Sequence, residues 1–135
     1  MTSAPHWHQR LDALVSTSLR LPFAWGVHDC CLFAANWVLA ATGTDPAADV
    51  RGTYSTAAQA SALVQRLGGL QALGARAGAA VAPLLAQAGD VGLVHDGERD
   101  LLAVCTGPHW VAPTRRGLAV LPFNTATLAW RVNHG

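Results

Sequence analysis

The chain has 135 residues, 51% of them apolar and 13% charged, with nine arginines, no lysine and eight acids for a formal net charge of +1. That length supports one domain around one core, and the balance excludes a disordered chain, a charged coiled coil and binding to nucleic acid through counterion release. No window reaches the ~18 to 20 apolar residues of a membrane span, and Met1 to Arg10 lack a basic region followed by an apolar core, so neither membrane insertion nor an export signal is expected. So little charge in so small a domain points to apolar surface that a protein partner covers.

Trp7, Leu11, Leu14, Val15 and Ser18 step at three and four, which predicts a first helix ended by Pro22. After a turning stretch from Leu21 to His28, Asp29 reads as the N-cap of a helix from Cys30 to Ala41, which Gly43 terminates. Leu32, Phe33, Asn36, Trp37 and Ala40 share a face there, and this helix is expected to be the most buried. Ser55 or Thr56 caps a third helix to about Leu67, closed by Gly68-Gly69. Pro83 and the glycines break Leu70 to Ala88 into short helices.

Beyond Gly89-Asp90 the pattern changes to short apolar runs: Val91 to Val94, Leu101 to Thr106, His109 to Thr114, Leu118 to Leu121 and Ala129 to Val132. Asp96-Gly97, Gly107-Pro108 and Arg116-Gly117 separate the first four, which predicts an antiparallel meander with Ala129–Val132 as its last strand. Helices first and strands second give an α+β domain. Leu101, Ala103 and Cys105 fall on one face by alternation, expected to pack on the Cys30 helix with Cys105 in the core. Trp37 is expected in the core and Trp25 beside Cys30, while Trp7, Trp110 and Trp130 serve either as interface anchors or as buried side chains.

Three cysteines give neither an even disulfide framework nor a paired metal motif. Cys30 is the candidate nucleophile, because the first turn of a helix favours the thiolate; Cys31 and Cys105 read as small buried apolar residues. His28, two residues before Cys30, is a candidate base, as are His95 and His109 if their strands bring them close. His6, His8 and His134 read as solvated terminal residues. His28, Cys30 and Cys31 cluster in sequence but point in different directions, so no metal and no cofactor are expected.

Phe23-Ala24-Trp25-Gly26, then Asp29-Cys30 heading an apolar helix, then Gly89-Asp90-Val91 opening a strand resembles the NlpC-type branch of papain-like cysteine peptidases, which cleave peptidoglycan stem peptides. The chain is still more similar to short phage tail proteins of that fold, where Asp45-Pro46-Ala47-Ala48-Asp49 and Arg51-Gly52-Thr53-Tyr54 also recur. The resemblance implies one domain over residues 1–135, with helices at about 6–88 packed on an antiparallel sheet at about 90–133. It implies Cys30 as nucleophile and Trp25, Gly26 and Asp29 in the substrate cleft. The family's catalytic histidine corresponds to Leu101 or Asp100, and its orienting polar residue to the stretch Trp110-Val111-Ala112, so the dyad is missing.

The implied function is a structural tail-tip or tail-assembly protein with a degenerate active site, located at the virion tail tip. Its implied partners are the tail hub and other tail-tip proteins, with peptidoglycan as a further one and nucleic acid excluded. The alternative is an active peptidase or amidase that uses Cys30 on stem peptides.

Overall fold

The computed structural model describes residues 6–133, so His134 lies outside the described residues. Four helices precede the sheet: α1 (Trp7–Ser18), α2 (Cys30–Thr42), α3 (Ala57–Arg66) and the short α4 (Leu70–Ala75). Their ends follow from local chemistry. The Asp29 carboxylate accepts the Leu32 N–H at 2.9 Å and Thr56 caps α3 in the same way, while Gly43, at φ 81°, turns α2 off with its N–H on Leu39 O.

The second half is a six-stranded antiparallel sheet of β1 (Ala79–Val81), β2 (Val91–His95), β3 (Asp100–Cys105), β4 (His109–Thr114), β5 (Gly117–Pro122) and β6 (Ala126–Arg131), in the order β1-β6-β2-β3-β4-β5. The expected α+β class and the β2-to-β5 meander are present. Two details differ from expectation. The last strand does not continue the meander but returns to the far side of β2, and β1 lies inside the segment read as broken helices, so the sheet begins before Asp90. The buried Asp90 carboxylate explains the return: it accepts from Arg131 Nε at 3.0 Å, from the Val132 N–H at 3.3 Å and from the Gln87 N–H at 2.8 Å, which fastens β6 beside the start of β2.

Because α2 is apolar nearly all round, it must be covered on several sides. Phe33, Ala34, Trp37 and Val38 pack with Val91, Leu93, Leu102, Val104 and Val111 of the sheet, and α1 adds Leu11. Leu32 and Ala35 face Ala47, Val50 and Leu63, so the 45–54 loop and α3 close the opposite side. The indole of Trp37 also donates to Gly89 O at 2.7 Å, binding α2 to the entry of β2.

The phase of β3 is therefore opposite to the one expected: Leu102 and Val104 face α2, while Leu101, Ala103 and Cys105 lie on the other face with Val94, Trp110 and Ala112. Both faces of β3 are buried, so its alternation carries no polar phase to tell which face meets the helix. Trp110 crosses this second face: a Cβ added to Gly92, two strands away, would meet its ring at 2.6 Å, and its Nε1 donates to Phe123 O at 2.9 Å. Trp110 and Trp130 are both buried within the domain, which settles their alternative in favour of the core.

Candidate functional site

Asp29 organises the start of α2. It is 2% exposed and accepts three hydrogen bonds: from the Leu32 N–H, from the Gly26 N–H at 2.9 Å and from the Tyr54 hydroxyl at 2.6 Å. Gly26 has φ +79°, and a Cβ there would stand 2.0 Å from Tyr54 O, so the turn and the segment ending in Tyr54 touch backbone to backbone. Asp45 holds Arg51 through two hydrogen bonds, at 2.8 and 3.2 Å, and Arg76 reaches Asp49 at 2.9 Å. The short motifs that are separated in sequence are thus parts of one hydrogen-bonded assembly behind Cys30.

Cys30 itself is half-buried, with its sulfur 4.0 Å from that of Cys31. The Cys31 S–H and the Leu102 backbone N–H donate to it and hold its thiol below the usual range against the opposing effect of burial, while Cys31 is pushed well up by the same contact and by burial. Arg99, on the β2–β3 turn, adds a weaker favourable charge.

The Leu102 donor is available for a reason visible in the sheet. The Cys105 N–H points to Asp90 O on the β2 side, so by alternation the Leu102 N–H points toward β4. The β3–β4 ladder consists of Val104↔Val111 and Cys105↔Trp110 and stops short of Leu102, which leaves that N–H beyond the ladder's end. The Cys30 sulfur takes that donor.

These groups line a pocket of about 510 Å³ that extends from Phe23, Trp25 and Cys30 between α2, α3 and α4. Among its lining residues there is no imidazole. His28 is buried and turned away: its Nε2 lies 3.0 Å from Ser18 Oγ on α1, its ring meets Phe33 edge-on, and desolvation lowers its pKa despite the nearby Asp29 charge. The candidate base His28 is thus a core contact between α1 and the turn. His109 is exposed at the far end of β4 from Pro113, about 13 Å away along the strand at ~3.3 Å per residue. His95 pairs with Asp100 at 3.1 Å on the exposed end of the β2–β3 hairpin; Asp100 lines the pocket and His95 does not.

Trp25 lines the pocket as expected, packed edge-on against Phe23 at 4.8 Å and covered by the Arg115 guanidinium at 5.6 Å. Among the described residues no group of three or more His, Cys, Asp and Glu side chains is placed to hold a metal ion, and no helix is long and apolar enough to cross a membrane. Arg99 and the donor role of Cys31 carry no sequence signal of their own, and for the Tyr54 hydroxyl on Asp29 the signal is its place in the Arg51-Gly52-Thr53-Tyr54 motif.

The chain belongs to the family described as a domain of unknown function, DUF6950, which matches residues 2–132. No curated protein and no solved structure matches it.

Proposed function

We propose that this domain is a papain-like module of the NlpC type that serves as a structural component of a phage tail tip, with an active site no longer competent for peptide hydrolysis. The observation that carries this reading is the surroundings of the Cys30 sulfur: two donors reach it, Cys31 and the Leu102 N–H, and no imidazole lines the pocket. A peptidase must take a proton from its nucleophile and give one to the departing amine. Loss of that transfer typically costs ~10² to 10⁴ in rate.

The order of elements supports the resemblance. A cysteine heads a buried helix that packs on an antiparallel sheet, and Gly89-Asp90 opens the strand before the one facing that cysteine. Exposed apolar side chains at Leu84 and Leu85 (76% and 68% exposed) offer surface for the tail hub or other tail-tip proteins.

One observation favours a second reading, an active peptidase or amidase on peptidoglycan: the Cys30 thiol is depressed and opens on a pocket. A zymogram on purified peptidoglycan separates the two. No clearing is expected from the protein; clearing that disappears in Cys30→Ala would establish the peptidase. The tail assignment is tested by labelling purified particles with an antibody to the protein, which should mark the tail tip; particles without the protein overturn it.

A further inference from the structure

The pocket beside Cys30 is larger and more apolar than a thiol alone requires. It follows α2 from Cys30 to Val38, about 12 Å of helix axis at ~1.5 Å per residue. Small side chains, Ala34, Ala35 and Ala60, leave the space, and Leu63 and Leu73 close it from α3 and α4. Cys30, Cys31 and Arg99 lie at the start of α2 in this lining, and Ser61, Gln65 and Arg76 add polar groups on the side of α3 and α4. A volume of about 510 Å³ falls in the range of small-molecule sites, about 300 to 1,000 Å³.

The chemistry at the Cys30 end is selective. A thiolate attacking an amide must expel an amine, which leaves only when protonated, and no imidazole lines the pocket to supply the proton. A thioester expels a thiolate instead, a group that departs without a proton. We infer that the pocket receives an apolar acyl chain and that Cys30 accepts the acyl group from a thioester donor. The Cys30 sulfur forms the new bond to the carbonyl carbon, the donor's carbon–sulfur bond breaks, and its electron pair leaves on the donor thiolate, which takes a proton from water. No oxidation or reduction occurs. Cys31, donating its hydrogen bond, remains a thiol.

The inference shares with the proposed function the absence of a base at Cys30, but the two fail separately. Clearing of peptidoglycan would overturn the structural reading, whereas acyl transfer is read on small thioesters alone. The full chain is incubated near pH 7 with the acetyl, butyryl, hexanoyl and octanoyl thioesters of N-acetylcysteamine, and adducts are followed by intact mass and located by peptide mapping.

The expected result is one hydroxylamine-labile adduct on Cys30, absent from Cys30→Ala and retained in Cys105→Ala. Each buried methylene is worth up to roughly fourfold, so octanoyl should exceed acetyl by at least tenfold. Ala60→Phe, which fills the pocket, should abolish that advantage. The chain-length series on the unaltered protein decides the matter even where Ala60→Phe does not fold. No adduct, equal rates for acetyl and octanoyl, or adducts spread over Cys31 and Cys105 would overturn the inference.

Discussion

The Tyr54 hydroxyl donates to Oδ2 of Asp29 at 2.6 Å, across 25 positions of sequence, and so joins the segment before α3 to the cap of α2. The same oxygen takes the Gly26 N–H, while Oδ1 takes that of Leu32. One buried carboxylate therefore sets the turn, the helix start and the direction of Cys30 together.

That sharing makes the first prediction. A hydrogen bond to a charged group contributes about 1.5 to 3 kcal/mol, so Tyr54→Phe should lower unfolding stability by that amount in urea titrations. Asp29→Asn should cost more, because two backbone donors also lose their charged acceptor. The double variant should fall short of the sum of the singles by about 1 kcal/mol or more, as contacting residues do. Additivity within experimental error would show that the two residues do not act as a unit.

Cys30 should react first. Its lowered thiol should hold more thiolate near neutral pH than Cys31, pushed up by its contact with Cys30 and by burial, or Cys105, pushed up by burial. With iodoacetamide near pH 7, peptide mapping should show Cys30 modified ahead of the other two, with a midpoint in its rate profile below the ordinary thiol value of about 8.5. Cys31→Ala removes the S–H donor and should move that midpoint up, whereas Cys31→Ser keeps a donor and should move it less. Initial labelling at Cys31 would reverse the assignment of donor and acceptor.

Features written in adjacent residues were legible in the sequence: Asp29 as a cap and Ser55 or Thr56 as another, which the fold resolves to Thr56, Gly43 as a stop, and the turns at Asp96-Gly97 and Arg116-Gly117. What was not legible depends on groups far apart in sequence. The position of β6 is set by Asp90 gripping Arg131, and β1, Ala79-Ala80-Val81, carries no alternation to announce a strand. At the site, Asp29-Cys30 before an apolar run pointed to the sulfur, but its partners are a backbone N–H beyond the end of the β3–β4 ladder and the thiol of its own neighbour. Neither has a side-chain signature of its own. His28 stood close to Cys30 in sequence, yet the turn that Gly26 permits directs it toward Ser18.

The burial of His28 carries a pH dependence. Its pKa is lowered chiefly by desolvation, so the folded protein binds the proton less readily than the unfolded chain, whose value is about 6.5. Stability from this group is complete above that value and falls as pH drops through the lowered folded value, because the unfolded state then holds the extra proton. Thermal melts between pH 8 and pH 5 should show this decline. His28→Gln, which keeps a group able to bond Ser18 but does not titrate, should flatten it; an unchanged slope would assign the decline to other groups.

The second face of the sheet gives a prediction of opposite character to a surface substitution. Gly92 sits in a central strand, where a residue with a side chain is ordinarily favoured. Here the Trp110 ring already occupies the space, at 2.6 Å from a Cβ built on Gly92, and the indole is held in place by its hydrogen bond to Phe123 O and by stacking on the Phe123 ring at 6.2 Å. The ring cannot withdraw without losing that bond. Gly92→Ala should therefore destabilise by about 1 to 3 kcal/mol, the usual cost of overpacking a core, despite the gain in strand propensity. Trp110→Phe in the same background removes the obstructing ring together with its N–H, so adding it to Gly92→Ala should cost less than Trp110→Phe costs alone. Denaturant unfolding of the four proteins measures this directly: equal costs of Trp110→Phe in both backgrounds would mean that the indole does not determine the need for glycine.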